Sequence, residues 1–298
     1  MLDIQNVSYS AGKRKLVHGL SFQAKGGELL AILGANGAGK STLLKLLCRE
    51  LEPSAGEIFF DGIKLPLFSL EELARKRAVL TQHNTLSMSF LVKELVLMGR
   101  YPHFRNKPTD HDWQVVRSAM RETGIAHLSD RAYPTLSGGE QQRVQLARVL
   151  TQIYDVPNAC LFLDEPTTGL DLLYQQQILT LARDLADRGY CVISILHDLN
   201  FASRYAHKIL LLQHGQKVAF GTPAQVLTCE NIEEAFRLQV KLLPCEGFEC
   251  PLVIPLGGHD LQWRTSADGN SQPKRVGREE ADNRRIQSTG NPNGLPGT

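Results

Sequence analysis

Two periodicities divide the chain. Near its start, Leu2-Asp3-Ile4-Gln5-Asn6-Val7-Ser8-Tyr9 and Leu16-Val17-His18-Gly19-Leu20-Ser21-Phe22 alternate with a period of two, the pattern of strands wet on one face. The basic turn Ala11-Gly12-Lys13-Arg14 between them predicts an antiparallel pair, and Gly56-Glu57-Ile58-Phe59-Phe60-Asp61-Gly62 is a further strand bounded by turn residues. Other segments are apolar almost throughout: Leu29-Leu30-Ala31-Ile32-Leu33, Ala78-Val79-Leu80-Thr81, Cys160-Leu161-Phe162-Leu163, Cys191-Val192-Ile193-Ser194-Ile195-Leu196 and Lys208-Ile209-Leu210-Leu211-Leu212. Runs of that length suit strands covered on both faces of a parallel sheet.

Helical spacing fills the gaps. A helix starting near Lys40 carries Leu43, Leu44, Leu46 and Leu47 on one broad side. From Phe90 to about Asp155 the pattern is helical, with one helix opening at Val92 and another over residues 110–123. Arg100-Tyr101-Pro102-His103-Phe104-Arg105-Asn106-Lys107-Pro108 reads as a basic, aromatic loop between them. The sheet pattern resumes at Cys160 and continues past a helix over residues 174–188. The expected fold is α/β, a mainly parallel core sheet with an antiparallel β subdomain and a helical subdomain inserted over about 88–157. The main domain is expected to span residues 1–240, with an extension over 241–264. Residues 265–298, rich in Gly, Asn, Ser and Pro and poor in large apolar side chains, are expected to be disordered.

Composition narrows the class. The 298 residues leave room for one large or two modest domains, and 42% hydrophobic with 21% charged residues is ordinary globular usage. A net charge of +2 makes no case for a nucleic-acid partner. No apolar stretch approaches the roughly 18 residues of a membrane span, and the start Met1-Leu2-Asp3-Ile4 lacks the basic and apolar regions of a secretory signal, so a cytosolic protein is expected. The six cysteines form no CxxC pair; Cys245 and Cys250 are nearest, without a histidine cluster beside them, and reduced thiols are expected.

The candidate chemistry sits where the apolar runs end. In open α/β sheets, ligands bind outside the carboxyl ends of the strands. That rule gathers Gly34-Ala35-Asn36-Gly37-Ala38-Gly39-Lys40-Ser41-Thr42, Gln82, Asp164-Glu165 and His197 along one edge. Gly34 to Ser41 has the spacing G-x-x-x-x-G-K-[ST] between a strand and a helix. Its glycines permit a nest of inward N–H groups; Lys40 is expected to reach the β and γ phosphates, Ser41 to ligate Mg²⁺, and Thr42 to add a contact to the α phosphate. A carboxylate at the end of the adjacent run, Asp164, is what Mg²⁺ needs.

Leu136-Ser137-Gly138-Gly139-Glu140-Gln141-Gln142-Arg143, following the phosphate loop and preceding Asp164-Glu165, resembles the signature of ATP-binding cassette (ABC) proteins. The resemblance covers roughly the first 240 residues. Locally, Ser137 and Glu140 form an [ST]-x-x-E capping box that starts a helix. The resemblance implies a P-loop ABC cassette that binds ATP and Mg²⁺. It implies that Tyr9 stacks on adenine, that Gln82 touches Mg²⁺ and the attacking water, and that Glu165 polarises that water. It further implies that His197 holds the γ phosphate and orients Glu165, that Ser137, Gly138, Gly139 and Glu140 face the γ phosphate of a second copy, and that Asp171 lies where two cassettes communicate. Gly169, where the family often has alanine, is a departure.

One phosphate loop, one signature, no sustained heptads and an intact Glu165 favour a transport ATPase over a translation- or repair-type cassette and over a non-hydrolytic binding module. Gly99-Arg100-Tyr101-Pro102-His103 and Leu196-His197-Asp198-Leu199-Asn200-Phe201-Ala202 resemble ATPases of iron-chelate, heme and vitamin B12 importers. Residues 136–152 and 170–176 are most similar to heme-importer subunits. Hemin import is therefore expected, with ferric siderophore or cobalamin import as the alternative. The implied partners are a second cassette (a homodimer), two integral-membrane permease subunits and, indirectly, a periplasmic binding protein, at the cytoplasmic face of a bacterial inner membrane. A permease helix is expected near Gln82, with Met88, Phe90, Leu91 and Tyr101 either meeting it or packing the helical subdomain.

Overall fold

The computed structural model describes residues 1–81, 89–244, 251–256, 262–264 and 272–274. In chain order the elements are β1 (Leu2–Ala11), β2 (Arg14–Ala24), β3 (Glu28–Gly34), α1 (Lys40–Leu47), β4 (Ala55–Phe60), β5 (Ile63–Lys64), α2 (Leu70–Lys76), β6 (Arg77–Leu80) and α3 (Val92–Leu97). They continue with α4 (Asp110–Glu122), α5 (Gly138–Ile153), β7 (Cys160–Asp164), α6 (Leu172–Asp187), β8 (Cys191–Ile195), α7 (Leu199–Tyr205), β9 (Lys208–Gln213) and β10 (Gln216–Gly221). Last in this unit come α8 (Pro223–Val226), α9 (Cys229–Phe236), β11 (Val240–Leu243) and β12 (Leu252–Pro255).

The alternating segments form a four-stranded antiparallel sheet in the order β2-β1-β4-β5, with β1 and β2 joined at the expected basic turn. The apolar runs form a six-stranded sheet in the order β10-β9-β3-β8-β7-β6, parallel except at the β10 edge. Its register pairs Leu80 with Leu163, Asp164 with Ile195, and Ile32 with Ile195. The carboxyl ends of β3, β6, β7 and β8 are therefore level.

The pleat explains why these runs are apolar throughout. Leu29, Ala31 and Leu33 of β3 face one core layer, with Leu161, Leu163, Val192 and the inner residues of α5 and α6. Leu30 and Ile32 face the other, with Phe162, Ile193, α1 and the inner face of the antiparallel sheet. Both sides are fully covered, and each such leucine contributes roughly 1.5–3 kcal/mol. Cys160 and Cys191 pair across β7 and β8 as free, buried thiols; their mutual hydrogen bond, with burial, pushes Cys160 well above the ordinary thiol range.

A third core lies among α3, α4 and α5, built from Val92, Leu95, Val96, Val116, Met120 and Val144, and Phe90 packs against it. One expectation is corrected here. Arg100 does not lie in the basic, aromatic loop expected over residues 100–108; a 3-10 turn, Met98–His103, continues α3 and buries it to 2% exposure. Its guanidinium meets Asp112 at 3.0 Å and Asp155 at 2.6 Å and donates to Thr151 O at 3.0 Å. Five donors in a rigid fork can satisfy several acceptors at once, which makes this burial tolerable. His103 bonds Gln152 O and His111 bonds Asp155, each at 2.7 Å, whereas Tyr101 is exposed against the edge of Phe104.

Met1–Pro255 forms one compact unit, including the antiparallel hairpin β11–β12. In the remaining stretch, β13 (Gln262–Arg264) pairs antiparallel with β14 (Gln272–Lys274), the latter inside the segment expected to be disordered. The rest of that segment, and Cys245 and Cys250, lie outside the described residues. Among the described residues, no helix is long and apolar enough to cross a membrane.

Candidate active site

The loop after β3 is built by backbone that side chains would obstruct. Gly34 has φ +152°, and a Cβ there would lie 2.4 Å from Leu212 O; Gly39 has φ +99°, and its Cβ would lie 2.7 Å from Leu16 O. With Gly37 also at positive φ, the alternation is that of an anion-binding nest. Gly215 N donates to Ala38 O and His18 N to Gly215 O, both at 2.9 Å, so the loop is fixed from the β9–β10 turn and from β2. Gly39, the N-cap of α1, offers no side-chain oxygen to the first-turn amides, which stay available to an anion. Lys40 curls back across the loop and donates to Gly34 O at 2.8 Å and Ala35 O at 3.2 Å. Burial lowers its pKa, while the charges of Glu165 and Asp164 act against that shift. Asn36 and Ser41 are exposed and Thr42 is half-buried.

The two acids differ in environment. Asp164 ends β7, and its Oδ1 is buried without a hydrogen-bond partner among the described residues. Burial, then the adjacent Glu165, pushes its pKa up. Glu165 has φ +52°, a left-handed conformation that costs a non-glycine residue about 1–2 kcal/mol. Its Oε1 lies 2.6 Å from His197 Nε2, and Thr168 Oγ1 donates to its Oε2 at 3.4 Å. His197 lies two residues past the end of β8, half-exposed. An orphaned carboxylate oxygen at Asp164 and a hydroxyl at Ser41 fit a hard divalent cation. No cluster of three His, Cys, Asp or Glu among the described residues would hold it unaided, so a cation there would need ligands from outside the protein.

The capping box forms as expected. Ser137 Oγ accepts from Glu140 N, and Glu140 Oε2 accepts from Ser137 N at 2.8 Å. Among the described residues, a Cβ on Gly138 would meet nothing within 4 Å, and one on Gly139 would meet only Leu170 Cδ2, at an ordinary 3.5 Å. Three residues of α5 have structural roles that no local motif announces. Gln142 Nε2 donates to Pro166 O at 2.6 Å, tying α5 to the segment after Glu165. Arg143 stacks on Tyr174 at 4.3 Å. Gln145 is buried, donates to Tyr133 OH at 3.0 Å, and leaves its Oε1 without a partner among the described residues. With Gly138, Asp164 and Glu165 it lines a cavity of about 160 Å³. The only hint in the sequence is an amide between Val144 and Leu146 on an otherwise apolar face.

The structure thus brings Lys40, Asp164, Glu165 and His197 together. Tyr9 is half-buried on β1 opposite Val17, next to the Leu16 carbonyl that abuts Gly39. Asp171 caps α6, accepting from Tyr174 N at 3.0 Å. Gly169 has φ +77°, so glycine at this departure relieves strain that an alanine would carry. Gln82, His83 and Met88 lie outside the described residues.

A family model described as ABC transporter matches residues 17–168. The hemin import ATP-binding protein of Gloeobacter violaceus is 47% identical over 260 residues, covering 86% of this chain and 94% of that protein. The protein of the same description from Methylobacillus flagellatus is 44% identical, covering 82% and 91%. Among solved structures, a chain of an inward-facing metal-chelate type ABC transporter superposes with a TM-score of 0.73 at 30% identity, covering 86% of this chain and 97% of that one. A dimeric bacterial ABC transporter cassette superposes at 0.65 with 25% identity, covering 75% and 99%.

Proposed function

We propose, from the premise that this chain belongs to the ABC transporter family, that it is the ATPase subunit coupling ATP hydrolysis to hemin import through a membrane permease. The observation that carries the catalytic part is the contact of His197 with Glu165, 2.6 Å apart at the level edge that also holds Lys40 and Asp164. Phosphoryl transfer to water needs alignment and charge neutralisation more than covalent help. The 34–42 loop and Lys40 hold the triphosphate, Lys40 exchanging its carbonyl acceptors for β and γ oxygens. Glu165 orients the attacking water and takes its proton, and His197 fixes the carboxylate and faces the γ phosphate. Ser41, Asp164 and Gln82 would hold a Mg²⁺ ion, which when bound would supply further neutralisation of phosphate charge. Tyr9 stacks on adenine.

Ser137, Gly138, Gly139 and Glu140 act on the nucleotide of a second copy, whose Asp171 relays the state of one site to the other. Two permease subunits receive this dimer at the cytoplasmic face of the inner membrane, with a periplasmic binding protein delivering cargo. Support for the cargo comes from the hemin import relatives at 41–47% identity. The test is ATPase stimulation in proteoliposomes containing this chain and its permease. Stimulation by heme-loaded binding protein, and none by siderophore- or cobalamin-loaded protein, is expected; the reverse would replace hemin as cargo and leave the ATPase assignment standing.

A further inference from the structure

His197 passes into α7 within one residue. Asp198 is the N-cap, its Oδ1 accepting from Asn200 N at 2.7 Å and Phe201 N at 3.0 Å. The same short helix is gripped by the hairpin β11–β12. Asn200 Nδ2 donates to Val253 O at 3.1 Å, and Asn200 Oδ1 accepts from Val253 N at 2.7 Å. Ser203, three residues on and therefore on the same face, donates through Oγ to Pro251 O at 2.9 Å. Asn200 engages Val253 as a neighbouring strand would, with one donor and one acceptor from a single side chain. Val253 and Ala202 are buried in the same core cluster, so the bonds sit over packed apolar contact. A helix of seven residues is marginal alone, and its placement follows from what holds it.

We propose that Asn200 is a positioning residue for hydrolysis: by locking α7 to β12 it fixes the exit of β8, and with it the aim of His197 at Glu165. The hairpin is then a brace for the catalytic edge. This rests on the reading of His197 as the residue that orients Glu165.

The test uses full-length Asn200→Ala beside His197→Ala. The readouts are kcat and KM for ATP, amide hydrogen exchange at Val253, and the imidazole resonances of His197 in histidine-labelled protein, assigned by their loss in His197→Ala. The expected result for Asn200→Ala is faster exchange at Val253, a displaced or broadened His197 signal, and kcat reduced roughly ten-fold with KM little changed. A helix that matters only for folding would lower the melting temperature while leaving the His197 signal of the folded protein in place. Faster exchange at Val253 with kcat and the His197 signal unaltered overturns the inference, as does unaltered exchange. If His197→Ala keeps wild-type kcat, the failure belongs to the underlying reading of His197. Should Asn200→Ala not fold, Ser203→Ala, which removes only the Pro251 bond, is read by the same quantities with smaller expected changes.

Discussion

Glu165 combines three properties: a left-handed backbone, a side chain largely withdrawn from solvent, and a histidine nitrogen 2.6 Å from its carboxylate. A residue whose only task was to end a strand would relax to negative φ, or be glycine. Strain held in place by surrounding structure is a mark of function. Glu165→Gln preserves shape and removes the proton acceptor, so ATP binding is expected to persist while hydrolysis falls by roughly a hundred-fold or more, a general-base-sized loss. Equilibrium nucleotide binding and single-turnover hydrolysis separate the two quantities. Near-normal turnover would remove Glu165 from the role. At the phosphate loop, Gly34→Ala places a methyl group 2.4 Å from Leu212 O, and the backbone must give way on one side. Nucleotide affinity is expected to drop for that variant, measured by titration with a fluorescent ATP analogue.

At the scale of elements, the legible features were those with a local period or a local cap. Apolar runs over four to six residues named the buried strands, because a strand covered on both faces has no polar side to show. The Ser137 box named the start of α5 because both of its bonds fall within four residues. Ser137→Ala removes the acceptor for Glu140 N, and a loss of about 1 kcal/mol in unfolding free energy is expected by urea titration. The features that escaped are contacts between distant segments. Arg100 reads locally as one basic residue in a run of basic and aromatic ones, and its partners lie 12 and 55 residues away. The Gln142–Pro166 bond and the Asn200–Val253 pair are equally non-local, 24 and 53 residues apart. No periodicity encodes such meetings; only the packed topology does. The corrected Arg100 cluster also has a pH signature. Burial raises the Asp155 carboxyl, but hydrogen bonds from Arg100 and His111 and the Arg100 charge outweigh it and hold the group at about 2. A pKa depressed on folding adds stability above the unfolded value and loses it as pH falls through the folded one. Asp155→Asn is therefore expected to flatten the decline in urea midpoint as pH falls from about 4 toward about 2.

For the whole molecule, the proposed division of parts makes one chain incomplete. Lys40, Asp164, Glu165 and His197, brought together at the edge of the parallel sheet, form one side of the proposed triphosphate site. The second set of anion-directed groups, the capped start of α5 with Gly138 and Gly139, belongs to the helical subdomain. A helix N-terminus with two glycines and, among the described residues, little around them is suited to an anion brought from outside the subdomain, which in the proposed dimer a second copy would bring. Ser137→Arg fills that approach with a long cationic side chain while leaving the phosphate loop of its own chain untouched. Nucleotide affinity of the isolated chain is expected to stay within a few-fold of wild type, and turnover to fall to background. In wild type, the rate per chain should rise with protein concentration until the dimer saturates; for Ser137→Arg it should stay flat. An inactive mixture partner sharpens the comparison. Combining Ser137→Arg with Glu165→Gln pairs one intact phosphate-loop face, from the first variant, with one intact signature, from the second. Turnover should return at one site of that mixed dimer, where Glu165 of one chain meets Ser137 of the other. A mixture as inactive as its components, with dimerisation verified by analytical ultracentrifugation, would mean that each chain builds its site alone.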